Sequence, residues 1–134
     1  MIEDPHLLNV RRRAGLPTAA AAVEAIRATL HTLAERLSAG DAMRLWQLLP
    51  SSFAQAVAAE PPPPAGGYSF DEFCQRLADR GQHDVPVAVF RARTVLQVLR
   101  EAAPDMPEWQ SIASHLSNDF APLFWQPSTS GAAA

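Results

Sequence analysis

The stretch TAAAAVEAIRATLHTLAERL, Thr18–Leu37, decides the fold class. Val23, Ile26, Leu30, Leu33 and Leu37 recur at three- and four-residue spacing, and Glu24, Arg27, His31 and Glu35 form a polar stripe beside them. That is the period of a helix with one buried face. Thr18 offers an N-cap oxygen, and Gly15 just before it can end a preceding helix.

The pattern returns in DVPVAVFRARTVLQVLREAA, Asp84–Ala103. Val89, Ala92, Leu96 and Leu99 are its apolar stripe, Asp84 its cap, and Gly81 the expected end of the helix before it. Pro86 falls in the first turn, where its missing N–H costs nothing. Gly15 and Gly81, Thr18 and Asp84, Val23 and Val89, Arg27 and Arg93, Leu30 and Leu96, Leu33 and Leu99 are each 66 positions apart. Leu45 and Ile112, Leu49 and Leu116, Phe53 and Phe120 are each 67 apart, one insertion later. The same turn therefore occurs twice, as LLPSSFAQAV at Leu48–Val57 and as HLSNDFAPLFW at His115–Trp125. A period this long, seen twice, reads as a duplicated helical unit.

The expected fold is all-α: one compact bundle of two similar four-helix repeats, about residues 5–58 and 68–125. Helices are predicted over Pro5–Ala14, Ala19–Leu37, Ala42–Leu49 and Phe53–Ala58. In the second repeat they cover Phe70–Arg80, Val85–Ala102, Met106–Leu116 and Asn118–Phe124. YSFDEF, Tyr68–Phe73, is the best local start signal, with Ser69 and Glu72 as a capping box and Tyr68 facing Phe73 as a staple. DMPE, Asp105–Glu108, is a second capping-box candidate. Between the repeats lies EPPPPAGG, Glu60–Gly67, whose prolines predict an extended, stiff connector. The tail QPSTSGAAA, residues 126–134, carries no packing signal and is expected to be disordered.

Composition narrows the function classes. Hydrophobic residues make up 48% of the 134 and charged residues 19%, so a packed core is expected. The net charge of −3 argues against binding a phosphate backbone as the main task. One cysteine, Cys74, excludes an intrachain disulfide and a multi-thiolate zinc site. No run of about 18 apolar residues exists to span a membrane. The N-terminus has acidic residues first and basic ones last, the reverse of a secretory leader, so the expectation is cytoplasmic.

Candidate reactive residues are few. A helical metal site needs ligands at i+3 or i+4. His31 has Glu35 alone at such spacing and His115 has Asp119 alone, which reads as surface histidines beside carboxylates. His83 joins no cluster. Cys74, beside Phe73 and Leu77, reads as a buried thiol. No catalytic residue, cofactor or metal is assigned. Arg27 and Arg93 flank their stripes and are expected to be structural, held by carboxylates such as Asp41 or Asp119 or by helix C-terminal carbonyls; an anion site is the other reading. Leu30, Leu96, Phe53 and Phe120 are expected core. Arg11, Arg12 and Arg13 complement a helix C-terminus, or form a small phosphate-contacting patch before a helix–Gly-turn–helix. The helix that follows opens TAAAAVEA, with nothing to read a base edge, so specific nucleic-acid recognition is not expected. Trp46, Trp109 and Trp125 are candidate partner-binding anchors.

Two passages carry a family likeness. AIRATLHTLAERLSAGDAMRLWQLLPSSF, Ala25–Phe53, and HLSNDFAPLFW resemble a bacterial family known as domain of unknown function 2267. The second is similar to that family's closing Leu-Pro-x-Asp-Phe-x-x-Leu-Phe pattern, with Ser117 where Pro is usual. AVAAEPPPP stands where the family has an aromatic segment. The resemblance implies a two-repeat helical fold and no particular activity. The expected function is a non-enzymatic helical module that binds another protein or itself. The alternative is a nucleic-acid-associated regulator using Arg11–Arg13, and a third reading is a small-molecule or metal site between the repeats.

Overall fold

Two eighteen-residue helices set the frame of the computed structural model, which describes residues 5–103, 106–116 and 118–124. In order, the elements are α1 (Pro5–Arg13), α2 (Ala19–Arg36), α3 (Ala39–Gln47), α4 (Ser51–Ala56), α5 (Phe70–Gly81), α6 (Val85–Ala102), α7 (Met106–Ser114), a 3-10 turn (Asn118–Phe120) and α8 (Ala121–Phe124). Among the described residues there is no strand. The chain is all-α.

Helix α2 is the hub: it packs against α1, α3, α4, α5 and α6. Helix α6 in turn packs against α1, α5 and α8. Ile26, Leu30 and Leu33 of α2 meet Ala92, Leu96 and Leu99 of α6 in one continuous core, all without solvent exposure. Phe53 is equally buried, and Phe120 is 1% exposed. Phe120 lies edge-on to Phe70 and Phe73, with ring centroids 5.1 and 5.4 Å away, and Arg36 lies over its ring at 5.1 Å. Such edge-to-face clusters favour the aromatic quadrupoles as well as burying area.

Helix ends follow their chemistry. Thr18 Oγ1 accepts from the Ala21 N–H at 3.1 Å, and Ser69 Oγ accepts from Glu72 at 3.2 Å. Helix α1 closes in a Schellman motif. Gly15 takes φ +68°, Leu16 N–H donates to the Arg11 carbonyl, and Gly15 N–H donates to that of Arg12. Several helix ends differ from expectation; α4, for one, runs over Ser51–Ala56 and not Phe53–Ala58. Helix α3 starts at Ala39, because the Ser38 hydroxyl caps it at the Asp41 N–H. Helix α5 ends with Gln82, not Gly81, in the left-handed region at φ 58°. Asp84 holds the N-cap position of α6 without a side-chain capping bond.

The connector is tied down at its far end. Ala65 N–H donates to the Glu35 carbonyl at 2.8 Å, satisfying one of the orphan acceptors at the end of α2. Tyr68, ahead of α5, is partly buried against the core. Its hydroxyl donates to the Thr32 carbonyl, Arg76 covers its ring at 4.3 Å, and burial pushes its pKa up to about 12. Trp125, the tail and Asp105 of the second capping-box candidate lie outside the described residues.

Candidate functional site

Helix α2 carries alanine at positions 21, 25 and 28, one face of the helix, where α5 ends and α6 begins. Side chains this short cannot fill the space between three helices. A groove of about 550 Å3 results, its floor formed by those alanines with Leu16, Leu77 and Ala88. Its polar side chains are Glu24, Thr29, Arg80, Gln82, His83 and Arg91. The size falls in the range of about 300–1,000 Å3 found for small-ligand sites. The groove lies between α2 of the first half and α5–α6 of the second, the position named for the small-molecule reading.

The α5–α6 turn shapes one wall. A β-carbon on Gly81 would come within 3.1 Å of the His83 ring, so the glycine serves that close approach rather than the helix stop. The left-handed Gln82 turns the chain, and His83 Nε2 then accepts from Arg91 Nη1 at 2.6 Å. An imidazole nitrogen that accepts from a guanidinium carries no proton, so this partner leaves the Arg91 charge uncompensated.

The other charges are matched. Arg80 Nη2 reaches both Glu35 carboxylate oxygens at 2.6 and 2.7 Å, and Arg80 Nη1 donates to Thr32 Oγ1 at 3.0 Å. Glu24 accepts from Arg27 at 2.9 Å. Arg91 has no carboxylate partner among the described residues. Val87 and Phe90 stand nearby on α6, 41% and 52% exposed, on the side opposite its apolar stripe. Val87 also lines a second hollow with Asp79, Gln82, His83 and Asp84.

The residues singled out from sequence lie elsewhere. Trp109 is not a surface anchor. It is wholly buried, and its Nε1 donates to the Ala103 carbonyl at 2.8 Å. Trp46 is half-buried, stacked on His31 at 6.1 Å and donating to the Ala58 carbonyl. Arg13 forms a two-bond pair with Glu101 at 2.8 and 3.0 Å, Arg12 donates to Asn9, and Arg11 donates to the Pro17 carbonyl. The run thus closes α1 and ties it to α6. Arg27 Nε donates to the carbonyl of Ala56, the last residue of α4. Arg93 has no such bond among the described residues.

Neither aspartate proposed for these arginines serves them. Buried Asp41 binds His115 Nδ1 at 2.5 Å across 74 positions, and Asp119 accepts from the Phe70 N–H. Burial, helped by the Asp71 charge, pushes the Cys74 thiol up, away from nucleophilic character.

Spacing alone does not single out Val87, Phe90, Arg80 or Arg91. A signal existed for the first two, since they are apolar residues off the stripe of an otherwise regular helix. Arg80 and Arg91 acquire meaning only when α2, α5 and α6 come together.

The family described as "Uncharacterized conserved protein (DUF2267)" matches the chain over residues 3–123. The chain belongs to this DUF2267 family. No curated protein matches it. The match takes in the groove, the α5–α6 turn and both eighteen-residue helices, so the site belongs to the family-matching part of the DUF2267 chain. No helix among the described residues is long and apolar enough to cross a membrane.

His31 makes stability depend on pH. Burial, with Arg80 and Arg27 nearby and Glu35 opposing, holds its imidazole below the ordinary value. The unfolded chain, titrating near about 6.5, then binds the proton more readily than the folded one. Its contribution is present above about pH 6.5 and is lost as pH falls through the lower folded value. Urea midpoints between about pH 7.5 and pH 5.5 are expected to fall further for wild type than for His31→Phe, which keeps a ring against Trp46. Equal falls would exclude His31 as the source.

Proposed function

We propose that this DUF2267 protein is a non-enzymatic, cytoplasmic helical module that docks another protein, or a second copy of itself, on the exposed face of α6. The observation that supports this is the pair Val87 and Phe90, large apolar side chains left in solvent beside the α5–α6 turn. A half-exposed aromatic next to a concave surface is a favoured anchor. The arginines at 11–13 are occupied within the molecule, which weakens a nucleic-acid role. We further read the chain as two related four-helix units. Helices α2 and α6 start 66 positions apart with equal length, and α3 and α7 start 67 apart with equal length, which supports that reading.

Affinity co-purification of the tagged full chain from its native cells, with and without nuclease, tests the docking face. A stoichiometric protein that survives nuclease with wild type and with Trp46→Ala, but is lost with Phe90→Asp, is the expected result. A Phe90-dependent dimer in sedimentation would name the second copy as that partner. Recovery that depends on nucleic acid, or that ignores Phe90→Asp, would overturn the reading.

A further inference from the structure

We infer that the groove between α2, α5 and α6 is a binding site for a small amphiphile with an apolar body and a carboxylate head, the head held by Arg91. The inference does not rest on the protein-docking reading, because it concerns the hollow rather than the exposed ridge.

The floor is aliphatic and shallow-sided, made by Ala21, Ala25, Ala28 and Leu77, so it offers an apolar body a surface without hydrogen-bond demands. The volume of about 550 Å3 is too large for a single ion and suits a molecule of some ten or more heavy atoms, roughly the small end of ligand sites.

The charges of the groove select the head. Four charged or titratable groups line the groove: Glu24, Arg80, His83 and Arg91. Glu24 is matched by Arg27, and Arg80 by Glu35, so these two arms cancel. His83 accepts from Arg91 and is uncharged in that arrangement. What remains is one positive charge, on a guanidinium with donors beyond the one that His83 takes. The acids Asp79 and Asp84 line the neighbouring hollow, not this one. A planar fork of this kind matches a carboxylate with two parallel bonds, and the half-buried position of Arg91 strengthens them. Gln82, fixed in its left-handed turn beside His83, supplies a further amide to the head.

The test is a fluorescence titration of the full chain with 8-anilinonaphthalene-1-sulfonate, an apolar aromatic body bearing one anionic group. Octanoate, octanol and octylammonium then serve as competitors. Wild type is expected to bind one equivalent saturably, with octanoate displacing it and octanol and octylammonium each about tenfold less effective. Arg91→Gln should raise the dissociation constant about tenfold. Arg44→Gln, remote on α3, should leave it unchanged. Ala28→Trp, which fills the groove from its floor, should abolish binding while circular dichroism confirms the fold. Absence of saturable binding, equal displacement by octanol and octanoate, or unchanged affinity in either Arg91→Gln or a folded Ala28→Trp would each overturn the proposal.

Discussion

Leu30→Ala and Leu96→Ala are each expected to lower the unfolding free energy by about 2–5 kcal/mol, by lost transfer energy plus a residual cavity. Both leucines are without solvent exposure, one on each of the two helices that pack against one another at the centre. Both belong to the one buried apolar cluster, whose close packing limits how far neighbours can collapse into the space. Chemical denaturation of each variant measures the effect, and the slope should stay near that of wild type because the same surface is exposed on unfolding. A near-neutral midpoint for both would contradict the shared core.

Trp109→Ala should cost about 3–5 kcal/mol, the largest of the single changes considered. The side chain is the largest of the fully buried ones, and its Nε1–H satisfies the Ala103 carbonyl just past the end of α6. Truncation therefore leaves both a cavity and an acceptor without its donor. Trp46→Ala provides the control. Its ring is half-buried, and its loss should cost clearly less. Thermal and urea unfolding of the two variants side by side separates a core role from a surface one. Equal, small costs would return Trp109 to the surface.

The contrast between these tryptophans shows what the sequence could carry. Leu30, Ile26 and Leu96 were legible because a helical period reports its own buried face. Thr18, Ser69 and Gly15 were legible because capping chemistry is local. Ser38 was missed because Ala39 and Gly40 gave α3 no apolar opening to mark. Spacing cannot place Trp109, because its burial depends on tertiary contacts of α7, which packs on α3 and donates through Trp109 to the Ala103 carbonyl. The same reason hides the groove. Its electrostatics depend on Arg80 with Glu35, 45 positions apart, while the frame depends on Arg13 with Glu101 across 88 and His115 with Asp41 across 74. Spacing rules of three and four see none of these. Glu35 and Asp119 stand at the local spacing of histidine partners, yet Glu35 serves Arg80 and Arg76, and Asp119 accepts from the Phe70 N–H.

The α5–α6 turn joins the local and the distant signals. Gly81 was legible as an unusual residue, but its purpose was not. It gives the His83 ring room, and that ring in turn holds Arg91 at the groove. Phe90 and Val87 stand on the next turn of the same helix, so one short region carries both proposals.

Amide hydrogen exchange of the full chain, alone and with its co-purified partner, tests the location of function most directly. Slowed exchange over residues 81–91, at the turn and the exposed face of α6, is the expected result. Slowing confined to the segment around Arg11–Arg13 or around Trp46, with residues 81–91 unchanged, would contradict it.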